Sequence, residues 1–162
     1  MWIVRDNNIY YLQGDEKLLD DIRELWEALN HHHGERSSHF KDYFRQFNFT
    51  ARKADLMKNM HKSSMRIYIC FDEAAQLRAG YCISSVDSDL VGEIESIFVL
   101  PDYRGLGIGD ELMRKSLQWM DETGAGKIVV NVATGNEQAF GFYEKYGFYP
   151  RRTMLQQVKK QV

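Results

Sequence analysis

The stretch Ile94–Met113 constrains this chain most. It reads as a strand over Ile94–Val99, a turn carrying Arg104-Gly-Leu-Gly-Ile-Gly109, and a helix from about Asp110. A strand that delivers a glycine-rich turn to a helix N-terminus builds an anion pocket. Unpaired N–H groups and the positive end of the helix dipole converge there. The rest of the chain has to supply a sheet for the strand and a surface on which the helix can bury one face.

Strands and helices that fit this role lie on either side. Asp6-Asn7-Asn8 reads as a turn between Ile3-Val4 and Ile9–Leu12, so a short hairpin is expected first. Asp15 and Glu16 open a helix whose apolar stripe is Leu18, Ile22, Leu25, Trp26 and Leu29, with Gly34 as its stop. A second helix is expected from Ser38 with Phe40, Tyr43, Phe44 and Phe47 at helical spacing. A third, capped by Thr50, carries Ala54, Met57 and Met60. These aromatic and methionine stripes suit core or pocket wall, and they can also line an acceptor groove.

Arg66–Phe71 and Leu77–Ser84 read as an antiparallel hairpin, followed by a polar turn over Val86–Val91. Strict alternation along the next strand sends Ile94, Ser96, Phe98 and Leu100 to one face and Glu93, Glu95, Ile97 and Val99 to the other. Apolar residues on both faces mark a strand covered on both sides. The helix after the glycine turn buries Leu112, Met113, Ser116, Leu117 and Met120 and stops at Gly124 and Gly126. Ile128–Val132 is a further strand and Asn136–Tyr146 a helix ended by Gly147, with a closing strand from Phe148. The order gives an α/β (or α+β) domain around one mixed sheet.

A length of 162 residues suits one domain, here 1–162. The net charge of −2 and the lack of a basic arm argue against nucleic acid as a partner. The first eight residues lack the apolar run of a signal peptide. No stretch approaches the ~18 apolar residues of a membrane span, so a cytoplasmic protein without a membrane partner is expected. Cys70 and Cys82 fall in strand-like segments and read as buried free thiols, at neither metal nor disulfide spacing. Consecutive residues His31-His32-His33 point in different directions on a helix. They suit a solvated helix end, and no metal is expected.

Three phosphate-binding patterns can be set against the turn. A Walker loop needs Gly-Lys-Ser/Thr, but Gly109 is followed by Asp110-Glu111. A dinucleotide fingerprint starting at Gly105 needs glycine where Asp110 stands. The third pattern, Arg/Gln-x-x-Gly-x-Gly/Ala, is met by Arg104, Gly107 and Gly109. One strand later, Asn136-Glu-Gln-Ala139-Phe-Gly-Phe142-Tyr143-Glu-Lys-Tyr-Gly147-Phe148 meets Asn-x-x-Ala-x-x-Phe-Tyr-x-x-x-Gly-Phe at every defined position. In these two motifs the chain resembles the GCN5-related N-acetyltransferase (GNAT) family. The resemblance covers about Arg66–Tyr149; the residues before it match in layout only.

The resemblance implies a mixed, mostly antiparallel twisted sheet flanked by helices, with one parallel strand pair splayed apart. It also implies acetyl-CoA as cosubstrate, lying between Glu93–Val99 and Ile128–Val132. Backbone groups around Phe98 and Val99 would bind its pantetheine arm, one N–H polarising the thioester carbonyl. The pyrophosphate would lie over Arg104, Gly105, Leu106, Gly107, Ile108 and Gly109, where a Cβ would hold the anion off the N–H groups. Asp110 and Glu111 are expected to face solvent. Asn136 would contact the pantetheine or cap its helix.

The implied reaction is direct attack of a primary amine on the thioester. An amine near pKa 10.4 is free base in only ~1 molecule in 2,500 at pH 7, so a base helps. Glu95 and Glu93 lie beside the thioester site; Glu95, the nearer, is the preferred base, and either can instead anchor a substrate ammonium. Asp87, Asp89, Glu93 and Glu95 form an acidic run suited to a cationic acceptor. Tyr143 matches the family's general acid, and it also sits where a buried structural tyrosine would. The acceptor can be a small molecule or a protein lysine or N-terminus. A non-catalytic acyl-CoA-binding module on the same fold is the alternative, and a homodimer, common in the family, stays open.

Overall fold

The structure is a computed structural model that describes residues 8–58 and 60–159. Five strands form one sheet in the order β1 (Ile9–Gly14), β2 (Ser63–Asp72), β3 (Leu77–Asp87), β4 (Val91–Val99) and β5 (Lys127–Val130). The first four pair antiparallel as neighbours in sequence, and β5 lies parallel to β4. The parallel step needs a crossover. That crossover is α4 (Ile108–Glu122), ended by Gly124 at φ +89°.

Each face of the sheet carries its own core. On one, α4 sets Ile108, Leu112, Met113 and Met120 against Cys70, Cys82 and Ile94, joined by Tyr143 of α5 (Phe140–Glu144). On the other, a 3₁₀ helix (Glu16–Ile22) runs into α1 (Arg23–Arg36), followed by α2 (Lys41–Gln46) and α3 (Phe49–Met57). Leu19, Ile22, Leu25, Trp26, Phe49 and Leu56 pack there on Ile67, Ile69, Tyr81, Ile83 and Phe98. Backbones touch where glycines allow it. A Cβ on Gly92 would stand 2.7 Å from Met120 Sδ, which seats β4 beneath α4. No helix of the described residues is long and apolar enough to cross a membrane.

The hairpin expected at the N-terminus falls on residues 1–7, outside the described residues, apart from its second strand. The helix from Asp15 forms, with the Asp15 side chain accepting from the Lys17 N–H. It runs through Gly34 to Arg36. A Cβ at Gly34 would lie 3.3 Å from Cβ of Phe44, so this glycine serves the approach of α2 instead of ending α1. The third helix is capped by Asn48, whose Oδ1 accepts from the Ala51 N–H at 2.9 Å, and not by Thr50. No strand follows Phe148 among the described residues; 149–159 is irregular and exposed.

The alternation expected along β4 is also corrected. Ser96 pairs with Ile83 but Ile94 with the next residue, Ser84, so Glu95 is an extra residue in a β-bulge. The bulge turns the strand over by one position. Ile94, Ile97 and Val99 pack on the α4 side. Ser96 meets the Tyr81 hydroxyl at 2.6 Å on the α1 side, where Phe98 and Leu100 also pack.

Candidate active site

The β4–β5 ladder runs only from Val91 opposite Lys127 to Ile94 opposite Val130. Beyond it β4 continues to Val99 while β5 has ended, which leaves a gap beside the second half of β4. The ladder with β3 decides which backbone groups face it. The Leu100 N–H donates to the Ala79 carbonyl at 2.9 Å, so Leu100 and, by alternation, Phe98 and Ser96 turn their backbone to β3. Ile97 and Val99 turn theirs to the gap. At Val99 the carbonyl is taken by Arg104 Nε. Phe98 turns its backbone to β3, away from the gap, and Ile97 is the residue beside Val99 whose backbone faces it.

At the far end of the gap lies the glycine turn. Gly105 and Gly107 have φ of +79° and +77°, a conformation that costs a residue with a Cβ ~1–2 kcal/mol. Gly107 is the N-cap of α4, and no side chain caps that terminus. The amides of Ile108 and Gly109 in its first turn are thus free of side-chain partners, as an anion requires. Arg104 folds back along the strand. Its Nε donates to the Val99 carbonyl at 3.1 Å, and its guanidinium lies 5.7 Å from the centre of the Phe98 ring. The exposed Leu106 contributes backbone only to such a site.

Of the two acids after Gly109, Asp110 is half-exposed and accepts from Lys145 and Tyr146, which ties α4 to the residues after α5. Glu111, expected in solvent, is buried. It pairs with Arg114 at 2.6 Å and Lys115 at 3.6 Å along its own helix. Neither carboxylate is left unpaired beside the turn.

Above the gap mouth the end of α1 meets the loop before α5. The Arg36 guanidinium donates to Gln138 Oε1 at 2.9 Å, and Gly135, at φ +94°, lies against the Arg36 carbonyl. His32, one helical turn before Arg36, is held below its usual pKa by burial and then by the charges of Arg36 and Arg104. Among the described residues neither Arg36 nor Arg104 has a carboxylate partner. Asn136 sits beside them, its Oδ1 accepting from Gln138 Nε2 at 2.8 Å; its side chain does not cap the helix.

Tyr143 belongs to the core on the α4 side of the sheet. It is 9% exposed and packs edge-on against Phe142 and Phe148. Its hydroxyl makes no hydrogen bond among the described residues, and burial pushes its pKa up to about 12.

The two glutamates differ sharply. Glu95 is clamped: Arg52 of α3 donates to its Oε2 at 3.1 Å and to its main-chain oxygen at 3.0 Å, and Ser85 Oγ donates to Oε1 at 2.8 Å. Glu93 Oε1 accepts from Asn131 Nδ2 at 2.7 Å, while Oε2 has no partner among the described residues. Burial, then the charge of Glu95, raises its pKa; Asn131 and Arg52 pull the other way. Both line a recess of about 200 Å³ with Asp55 and Asp87, open on the α3 side of the sheet. Arg52, Ser85, Asn131 and Ile97 are the residues sequence reasoning missed. Only Ile97 left a trace, two positions before Val99 and so on the same edge of the strand. Among the described residues no group of His, Cys, Asp and Glu could hold a metal ion.

The profile of the acetyltransferase (GNAT) family matches residues 19–148. An uncharacterized N-acetyltransferase of Methanocaldococcus jannaschii is 35% identical over 81 residues, 48% of this chain and 36% of that protein. N-alpha-acetyltransferase 30 of Schizosaccharomyces pombe is 34% identical over 83 residues, 50% of this chain and 55% of its own. The matched segments thus span about a third to about half the length of these relatives. Among solved structures, an aminoglycoside N-acetyltransferase in complex with CoA superimposes with a TM-score of 0.64. It covers 98% of this chain and 99% of its own at 18% identity, a likeness of fold.

Proposed function

The chain belongs to the acetyltransferase (GNAT) family, and from that premise we propose that it moves the acetyl group of acetyl-CoA to a cationic primary amine by direct attack. The observation that carries this is the gap beside β4. Its wall offers the Ile97 and Val99 amides, and one end opens on the uncapped N-terminus of α4. These groups fit a long ligand that is amide-bearing in the middle and anionic at one end. Arg104, with Arg36 at the mouth, adds positive charge that no carboxylate among the described residues answers.

Bound acetyl-CoA supplies an activated thioester. Val99 holds the arm as a partial extra strand, and the Ile97 N–H is placed to donate to the carbonyl oxygen as it gains charge. Glu93, with a free oxygen and a raised pKa, takes the proton of the incoming ammonium, directly or through water. Glu95 is neutralised by Arg52 and acts as a positioning residue. The new C–N bond forms as the C–S bond breaks, the Tyr143 hydroxyl protonates the departing sulfur, and the second proton shed by the nitrogen as it becomes an amide returns to the phenolate through solvent, while the proton on Glu93 leaves to bulk water. Burial keeps that phenol protonated at neutral pH, which suits a donor.

The recess lined by Asp55, Asp87, Glu93 and Glu95 supports a positively charged acceptor. Similar proteins are named as an N-alpha-acetyltransferase and as an aminoglycoside N-acetyltransferase, so amine acceptors of different size stay in play. Release of CoA thiol, measured across peptide N-termini, lysine peptides, polyamines and aminoglycosides, tests the reading. Turnover confined to cationic amines is expected. Binding of acetyl-CoA with no thiol release for any amine would favour a sensor or interaction module. Failure to bind acetyl-CoA would remove both.

A further inference from the structure

The two glutamates of the recess are held by unlike groups. Glu95 is gripped by a cation: Arg52 donates to its Oε2 at 3.1 Å, and Ser85 donates to the other oxygen. Glu93 is held by a neutral amide instead, through the bond from Asn131 Nδ2 to Oε1 at 2.7 Å. A guanidinium beside a carboxylate favours the charged form strongly and so weakens it as a base. An amide orients the carboxylate at a smaller cost in basicity.

Asn131 comes from the other wall of the gap, 38 residues along the chain. The β4–β5 ladder pairs Glu93 with Val129 and ends at Ile94 opposite Val130, so Asn131 is the first residue past it. Ile128, Val130 and Val132 pack in the core on the α4 side. By alternation Val129 and Asn131 face the α3 side, where Asn131 stands ~6.6 Å beyond the residue paired with Glu93. From there its side chain holds one oxygen and leaves Oε2 without a partner among the described residues. The side chain of Asn131 is itself exposed and does not line the recess, so it acts on an acceptor through Glu93.

The residue type fits a base that changes its charge in each turnover. Nδ2 donates to the carboxylate; with the amide turned over, Oδ1 accepts from the carboxylic acid. Glu93 can thus keep an anchor in both protonation states. A lysine in this place would serve only the charged state, and a second carboxylate only the protonated one. The other charged groups facing Glu93 are Glu95 of its own strand, Arg52 and Asp55 of α3, and Asp87 at the end of β3. Burial and the charge of Glu95 raise the Glu93 pKa. Of the two influences that lower it, the Asn131 bond is larger than the charge of Arg52.

We propose that Asn131 is a positioning residue: it turns Glu93 Oε2 to the acceptor amine and leaves the carboxylate free to gain and lose a proton. The inference rests on Glu93 as the base, and it makes β5 serve the acceptor as well as wall the gap.

Asn131→Leu, Asn131→Asp and Asn131→Lys, each in the full chain, test this with two readouts. One is the pH dependence of kcat. The other is a titration of the Glu93 carboxyl carbon by NMR without substrate, its signal assigned by its loss in Glu93→Gln. The carboxylate is the reactive form, so activity is lost as pH falls through its titration. Asn131→Asp adds a like charge and should move both the titration and the acid limb up by about one pH unit. Asn131→Lys should move both down by about as much and lower kcat ~10-fold, because a weaker base takes the proton less readily. Asn131→Leu should lower kcat ~10-fold with the KM for acetyl-CoA within about twofold. The side chain is exposed, so all three should melt within about 3 °C of the parent. A Glu93 titration that stays in place in Asn131→Asp and Asn131→Lys, or an unchanged kcat in Asn131→Leu, overturns the inference and leaves the base assignment standing. A titration that moves while the acid limb stays overturns the base assignment, and the inference falls with it.

Discussion

Glu93→Gln separates the two glutamates, because the amide keeps the size of the side chain and can still accept from Asn131. What it removes is the capacity to take a proton. At pH 7 about one lysine-like amine in 2,500 is free base, and a placed general base contributes roughly 10²–10⁴ in rate. Since the one hydrogen bond of the Glu93 carboxylate among the described residues can be kept by the amide, the fall should come through chemistry. We expect kcat/KM to drop ~10²–10³-fold, about 2.7–4 kcal/mol at 1.36 kcal/mol per factor of ten, with acetyl-CoA affinity unchanged within twofold. The pH profile adds a sign. The reactive form is the carboxylate, so activity is lost as pH falls through the Glu93 pKa. Burial and the charge of Glu95 raise that pKa, and Arg52 and Asn131 partly offset them, so the acid limb should lie above the usual glutamate range. In Glu93→Gln this limb should vanish. Glu95→Gln is the control: it leaves Arg52, whose side chain is 22% exposed, without its counter-charge. It should lower stability by about 1–3 kcal/mol and keep the limb. A variant series in which Glu95→Gln erases the limb and Glu93→Gln keeps it would refute the assignment.

Tyr143→Phe should leave the thermal midpoint within about 2 °C, because the hydroxyl has no partner among the described residues whose loss would be felt. Turnover should fall ~10–100-fold at unchanged acetyl-CoA affinity; equal loss of affinity and turnover would mark the tyrosine as structural. Gly107→Ala has open space for its methyl but forces alanine to φ +77°. It should lose ~1–2 kcal/mol in denaturant titration and weaken CoA binding about tenfold by calorimetry, whereas Gly126→Ala, with open space and no positive φ, should do neither.

Much of the fold is legible in the sequence because its signals are local. The apolar stripe of Ile22, Leu25 and Trp26, the hairpin of β2 and β3, and the strand–glycine–helix order each reside in one short window. The ends of elements are less legible because distant neighbours decide them. Gly34 looks like a stop until Phe44 is seen to need the space. Asn48 and Thr50 are both good caps, and only geometry chooses between them. Phe148 onward reads as a strand from composition, but a strand also needs an edge, and whether one is within reach is a property of the whole sheet.

The site follows the same division, with one consequence for chemistry. Period-two alternation sets Glu93 and Glu95 on the face opposite Phe98, and a reader has no residue that announces the bulge: Ile94-Glu-Ser96 contains no glycine. What stabilises it is Arg52, 43 residues away, which accepts the task of binding both the carboxylate and the freed carbonyl of Glu95. The extra residue re-phases the strand, so both acids and Phe98 share the acceptor side, while Ile97 and Val99 turn to the α4 side and present their amides to the gap. A regular β4 would place the acids among the apolar side chains under α4, where an unpaired carboxylate is costly. On the proposed reading the single inserted residue would let one strand hold a thioester along its edge and a base above its face, and Arg52→Met should disturb both at once.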